Sequence, residues 1–596
     1  MKEKIRKILG SFFAPVAANP LFFLAIVILG TVCVIVEAVA IGNLRKWILL
    51  YDLMQGTVWA YLLSLVVYRW DKRWLKGLLV GVWGLAALAE VLHYALLQHT
   101  IDIQSVSLAL DTNVGEIHGF FSHFFTPGVV MATVAGVLIV AMISVGVALS
   151  RWKITRWLQS LSLLTLIVLV GGVVRLAHIA TMLPIGSLDA FTIWYSQDNG
   201  NAEMARIHQM NYADPIVKSV YIYKGISLEK AEFGRWEEMQ RKIAERTDDI
   251  LEPSANDSLQ IVVIIGESFI KSHSSLYGYH LPTNPMLAKE QADSALVVYT
   301  DMVTAGNFTN MSISNLMNLN RLNSDDASHR DWRSSAYFPL VFKKAGWKVS
   351  LFTNQYDPGS RTSELGRMFF SPFIVDVCYD AYNTVQCDYD GDFLSAMVST
   401  YHPGETSDSN GLTIWHLKGQ HFPAFERYPQ LPEQERFALG DIPADKPWLD
   451  DDKRQQVADY ANATVYNDSI VASIINLYRC RNAVVVYFSD HGEEMWDTAP
   501  AGNRNKQSPE DAAWMHRQFD VPFMVWMSDT FRQRNPEMVD RLKSSADRPG
   551  SLDGLGQMLL QLGGVKSIYT RPEESIISDS YRPLQRISAQ GYIYPD

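Results

Sequence analysis

Residues 487–497 read YFSDHGEEMWD and follow the apolar run AVVV (483–486). Asp490, His491, Glu493 and Glu494 therefore crowd together where a buried strand would stop. Carboxylates and an imidazole in such a place are donors for a divalent metal or groups that move protons. Two other segments repeat the arrangement. Glu267 closes IVVIIGE (261–267), and His421 stands just past LTIWHLKG (412–419). Carboxylates with imidazoles suit zinc or manganese, and the histidines favour zinc. Ser268, directly after Glu267, could be read as a hydrolase nucleophile, but G-x-S-x-G requires glycine where this chain has Ile270. Ser268 is expected instead to support its neighbours through a hydrogen bond, and so are Glu493 and Glu494; His416 is read as structural.

The elements that would position these groups are short apolar or β-branched runs: IVVIIGE (261–267), WKVSLFTN (347–354), LTIWHLKG (412–419), AVVVYFSD (483–490) and VPFMVWMS (521–528). Long segments of helical pattern separate them. Near-continuous apolar strands alternating with helices predict an α/β domain with a mostly parallel central sheet covered on both faces. Ligands of such sheets bind beyond the carboxyl ends of the strands, where Glu267, His421, Asp490 and His491 fall.

The 596 residues are too many for one ordinary domain, and the 48% hydrophobic content is unevenly spread. Residues 1–185 carry apolar stretches near 21–43, 46–68, 75–98, 127–149 and 157–183, each long enough to cross a bilayer. They predict a five-helix transmembrane bundle. Lys2, Lys4, Arg6 and Lys7, then Arg69, Lys72, Arg73 and Lys76, then Arg151, Lys153 and Arg156 mark the cytoplasmic side. The loop 99–126 has no Lys or Arg and is expected outside, as is everything after about 185. Residues 186–250 read as a connector with interfacial helices, and 251–596 as the outer domain. A net charge of −11 argues against a nucleic-acid partner. The four cysteines form no C-x-x-C motif; Cys378 and Cys387, close in sequence on the oxidising side, are a plausible disulfide.

IVVIIGESFIKSHSSLYGYHLPTNP (261–285), HLKGQHFPAFERYP (416–429) and SDHGEE (489–494) together resemble the signature of bacterial phosphoethanolamine transferases. These are membrane enzymes of the alkaline phosphatase/sulfatase superfamily, and the resemblance extends over nearly the whole chain. It implies a sulfatase-like periplasmic catalytic domain on a multi-pass inner-membrane anchor. It further implies a zinc site of Glu267, Asp490 and His491 with Thr309 as nucleophile, from AGNFTNMSISNLM (305–317). Ser314 replaces the family's common proline there, which leaves Thr304 as a rival. His421 and His516 match histidines that contact phosphate or move protons. Thr112 and Glu116, in LALDTNVGEIHGFF (108–121), match a loop that contacts the donor's head group.

The implied reaction moves phosphoethanolamine from phosphatidylethanolamine, through a covalent threonine intermediate, to lipid A, a lipopolysaccharide core sugar or another envelope glycan. Two alternatives stand beside it. One is a phosphoglycerol transferase resembling lipoteichoic acid synthase; the other is a non-catalytic membrane-anchored binding protein.

Overall fold

The computed structural model describes residues 2–40, 46–97, 100–101, 105–106, 126–154, 164–173, 215–252, 257–326, 329–355, 368, 374–380, 387–404, 409–498, 512–589 and 591–594. The chain divides into two compact units. One comprises residues 1–110 and 120–229, the other 111–119 and 230–596.

In the first unit, α1 (Lys2–Ala18), α2 (Pro20–Ala40), α3 (Lys46–Trp70), α4 (Arg73–Leu97) and α5 (Pro127–Leu149) are α-helices. Among the described residues three helices are long and apolar enough to span a membrane: Pro20–Val39, Arg73–Leu96 and Pro127–Leu149. These are the first, third and fourth of the five predicted spans. The second predicted span is the 25-residue helix α3, less apolar on average than α2, α4 and α5. Of the fifth, the described part is the short apolar helix Leu164–Val173. Leucine, isoleucine and valine side chains point outward from the three spans, as at Leu24, Ile28, Val82, Val134 and Leu138. Such a surface suits lipid and is costly in water. Helix α6 (Pro215–Glu245) contributes residues 215–229 to the first unit and 230–245 to the second.

The second unit is built on a seven-stranded sheet. Its strands are β1 (Gln260–Gly266), β2 (Leu296–Tyr299), β3 (Lys348–Thr353), β4 (Val377–Asp380), β5 (Gly411–His416), β6 (Ala483–Ser489) and β7 (Phe523–Met527). Their spatial order is β2-β7-β6-β1-β5-β3-β4. Pairings of β1 with β5 and β6, and of β3 with β4 and β5, are parallel. β7 runs antiparallel to both β6 and β2, so the sheet is mixed rather than wholly of one sense. All five predicted strands are present, while β2 and β4 had too few residues for the pattern to reveal them.

Central burial explains the unbroken apolar runs. Ile261, Val263 and Ile265 enter one core with Ile313, Leu316, Val341 and Leu559. Val262 and Ile264 enter the opposite core with Phe393, Trp415, Val471 and Ile474. Successive side chains of a strand alternate faces, so a strand covered on both sides must be apolar throughout. Helix α9 (Asp451–Tyr478) covers part of the second face through Val471, Ile474, Ile475 and Tyr478. Before it come α7 (Pro285–Ala292) and α8 (Thr309–Leu316); after it, α10 (Ala512–Phe519) leads into β7.

Candidate metal centre and active site

The sheet register brings the acidic residues together. Gly266 of β1 pairs with Ser489 of β6, so the next residue on each strand, Glu267 and Asp490, leaves the sheet at the same level. The Asp490 amide donates to the Gly266 carbonyl at 3.1 Å, which extends the parallel ladder past the strands. Ligand atoms of Glu267, Asp490 and His491 lie within 4.8 Å of one another, and all three side chains are buried. His491 Nε2 is 3.2 Å from Glu267 Oε1 and 3.4 Å from Asp490 Oδ2. Its other ring nitrogen, Nδ1, donates to the Gly492 carbonyl at 2.7 Å, which directs Nε2 into the cluster.

Two carboxylates buried this close repel each other and lose their hydration, a cost of several kcal/mol per ion that a divalent cation offsets. Two carboxylates and a correctly oriented imidazole are a chemically suitable donor set for zinc. The residues present therefore fit a bound metal.

Thr309 is the first residue of α8, and its hydroxyl reaches the same cluster. Oγ1 lies 3.1 Å from Glu267 Oε2, to which it donates, and 3.4 Å from His491 Nε2. Ser312, one turn on, donates to the Asp490 carbonyl at 2.6 Å and so ties α8 to the metal-site loop. Thr304 is buried and bonds to the same carbonyl and to Ser312 Oγ, so its hydroxyl serves the scaffold. The Ser268 hydroxyl donates to Glu267 Oε1 at 2.7 Å. Its backbone has φ +56, a left-handed conformation unusual for serine, and its amide donates to Asp490 Oδ1 at 3.2 Å. A tight turn thus returns the chain over the carboxylates.

Sequence reasoning missed Gln355. It follows β3, and its Nε2 donates to Glu267 Oε2 at 3.2 Å and to the Leu417 carbonyl at 2.6 Å. The rule applied to the other strands, that functional groups gather past the carboxyl ends, would have found it. Gly419 was also missed. At φ +50 it passes so close that a Cβ there would lie 2.7 Å from the Glu267 amide nitrogen. Gln420, next in the chain, donates its amide to the Glu267 carbonyl at 3.0 Å.

His421 follows this crossing, and its Nδ1 donates to the Phe422 carbonyl at 2.8 Å. His516 lies on α10. Because β7 is antiparallel, its start lies at the carboxyl rim of the parallel strands, with Phe523 opposite Phe488. The Gly492 amide donates to the Gln518 carbonyl at 2.9 Å, which fastens α10 beside His491. His516 is half exposed, with Nδ1 near Asp520 and the Tyr594 hydroxyl. Burial raises the Asp520 pKa, opposed by Lys271 and His516. The structure therefore gathers Glu267, Thr309, Asp490 and His491 in one cluster and sets His421 and His516 on the surrounding rim.

His416 is buried within β5, where its Nδ1 meets Thr353 Oγ1 at 3.1 Å. Burial lowers its pKa to about 4, against the opposing pull of Glu267, which fits a structural residue. Glu494 receives the amide and hydroxyl of Thr498, while Glu493 accepts the Glu494 amide at 3.0 Å. Thr112 and Glu116, and the side chain of Cys378, lie outside the described residues.

With this geometry in place, comparison with known proteins is decisive for the family. The sulfatase family signature matches residues 260–565, which contain the whole sheet and the cluster. The chain belongs to the sulfatase family. It is 28% identical over 346 residues to phosphoethanolamine transferase EptC of Escherichia coli (strain K12), covering 57% of this chain and 56% of that protein. It is 28% identical over 303 residues to the Kdo(2)-lipid A phosphoethanolamine 7''-transferase of the same strain, covering 50% and 49%. The chain thus spans about half the length of these curated relatives. A likeness of fold extends further. The integral membrane lipooligosaccharide phosphoethanolamine transferase A (EptA) of Neisseria meningitidis matches with TM-score 0.55 and 17% identity, over 96% of this chain and 98% of that one.

Proposed function

We propose that the protein is a zinc-dependent phosphoethanolamine transferase of the bacterial inner membrane, with its sulfatase domain in the periplasm. The donor is phosphatidylethanolamine, and the acceptor is lipid A, a lipopolysaccharide core sugar or another envelope glycan. The observation that carries this reading is Thr309 Oγ1, 3.1 Å from Glu267 Oε2 at the head of a helix that faces the buried carboxylate–imidazole cluster. Relatives whose printed names are phosphoethanolamine transferases supply the chemical class.

Glu267, Asp490 and His491 would hold the metal, with Thr309 beside them. When bound, zinc lowers the pKa of a nearby hydroxyl and polarises phosphoryl oxygens. Thr309 attacks the donor phosphorus, forming a new O–P bond while the bond to the diacylglycerol oxygen breaks. The hydroxyl proton leaves on the side of Glu267, and diacylglycerol departs as an alcohol after taking up a proton. The N-terminus of α8 favours the phosphate's negative charge. His421 and His516 are assigned to phosphate binding and to proton transfer at the leaving and attacking oxygens. An acceptor hydroxyl then displaces Thr309. Thr112 and Glu116 are assigned to the donor's head group, where a carboxylate suits an ammonium.

Mass spectrometry of envelope lipids and glycans, with and without the gene, tests the proposal. One phosphoethanolamine unit added to an envelope glycan is expected. A phosphoglycerol unit, or no change together with a zinc-free protein, would overturn it.

A further inference from the structure

The first unit contains a charge cluster that the transfer chemistry above does not use. Lys218, in the first turn of α6, places Nζ 2.8 Å from Glu90 Oε1 on α4 and 3.2 Å from Glu37 Oε2 on α2. All three side chains are more than nine-tenths buried, at 9% exposure for Lys218 and 7% for each glutamate. Glu90 is fully engaged, because its Oε2 accepts the Ile101 amide at 3.1 Å. Glu37 is not. Its Oε1 is buried and has no hydrogen-bond partner.

Two carboxylates and one ammonium sum to a single negative charge. Removing that charge from water costs several kcal/mol unless a further cation accompanies it. Ionisable residues inside an apolar helix bundle are expensive and mark functional sites by default. The vertical position is also informative. α4 begins with Arg73 and Lys76, and α2 follows α1, which begins with Lys2, Lys4, Arg6 and Lys7; by the distribution of these charges both helices start on the cytoplasmic side, so Glu37 and Glu90, near their C-terminal ends, approach the opposite face. In that topology the level is that of the outer leaflet's head groups. A primary ammonium has three donors in a compact point charge, which suits an unpaired carboxylate oxygen beside a second carboxylate.

We propose that Glu37, together with Glu90 and Lys218, forms a binding site for a primary ammonium. Its ligand class is the amine head group of an ethanolamine phospholipid, and its residues are not those of the Glu267–Asp490–His491 cluster. This inference rests on the transferase reading for its choice of lipid.

The test is native mass spectrometry of the purified full-length chain with added phosphatidylethanolamine, phosphatidylcholine or phosphatidylglycerol. The Thr309→Ala variant is measured in parallel, so that turnover does not affect the count. Phosphatidylethanolamine is expected to be retained about tenfold over phosphatidylcholine, the scale of one charge-assisted hydrogen bond that a quaternary amine cannot donate. Glu37→Gln should erase most of that preference, while Thr309→Ala keeps it. Free ethanolamine should compete if the head group alone is recognised; failure to compete, with the preference intact, assigns recognition to the whole lipid. Equal retention of the two lipids by the wild type would overturn the site, as would an unchanged preference in a folded Glu37→Gln. Should Glu37→Gln not fold, Glu90→Gln is the second variant, and an unchanged preference there overturns the site equally. Transfer activity is assayed separately. Loss of lipid preference with transfer intact defeats only this site; absence of transfer by the wild type defeats the functional reading.

Discussion

Thr309 and Ser268 are both hydroxyls within hydrogen-bond reach of Glu267, yet the structure separates them. Ser268 lies on the turn that grips the carboxylates, and its oxygen donates to Glu267 Oε1. Thr309 opens a helix and meets both Glu267 and His491. A phosphoethanolamine adduct is therefore expected on Thr309 after incubation with phosphatidylethanolamine. Thr309→Ala should abolish transfer with the melting temperature unchanged, and peptide mass spectrometry locates the adduct. Ser268→Ala should keep measurable turnover but lose about 10–100-fold in activity or metal affinity, the usual effect of removing a group that orients a ligand. Asp490→Ala should lose most of its zinc, as read by elemental analysis of the purified protein. Glu267, Asp490 and His491 were legible in the sequence because each stands where an apolar run stops. Gln355 stands in the same position, directly past the run WKVSLFTN (347–354), but a neutral amide carries no charge to draw attention to it there.

At the scale of elements, α7 depends on a residue of α9 for its first turn. Asn284 offers no side-chain cap, and Asp468 accepts the amides of Met286 at 2.7 Å and Leu287 at 3.2 Å instead. Asp468→Ala leaves the buried Leu287 amide and the part-buried Met286 amide without that partner and should destabilise the domain by about 1–3 kcal/mol in denaturant unfolding. Burial raises the Asp468 pKa to about 6, and the two amides only partly oppose it. The folded state thus holds this proton more tightly than the unfolded chain, whose value is about 3.9. The resulting stability is fully present below about pH 4 and lost as pH rises through about 6. Asp468→Asn should therefore show a smaller fall in melting temperature between those pH values than the wild type does. The sheet was legible because burial on both faces forces unbroken apolar strands. Strand direction was not, because β7 has the same buried composition as its parallel neighbours. Only its hydrogen-bond register reveals that it runs the other way, and that reversal sets α10 and His516 at the carboxyl rim.

At the scale of the whole molecule, the chain combines an apolar helical unit with a sulfatase domain. Its basic clusters all lie on one side of the proposed topology, so a reporter active only outside the cytoplasm, fused after Asp596, should be active. Activity of a cytoplasmic reporter at the same point would reverse the orientation. Apolar length suggests five spans; among the described residues three helices reach that apolarity, and α3, which must return between the parallel α2 and α4, is the least apolar of the four. The pairing of Gly266 with Ser489 has a further consequence, one of timing. The amide of Ser268 meets the carboxylate of Asp490 across 222 residues of sequence. Until that later stretch has been synthesised and delivered to the same compartment, Glu267 stands without Asp490 and His491, the other two donors of the candidate metal site. Pairing so distant in sequence is slow to form. The donor set is therefore completed only after the sheet has closed across those 222 residues, so a metal at this site would bind the assembled fold rather than the emerging polypeptide.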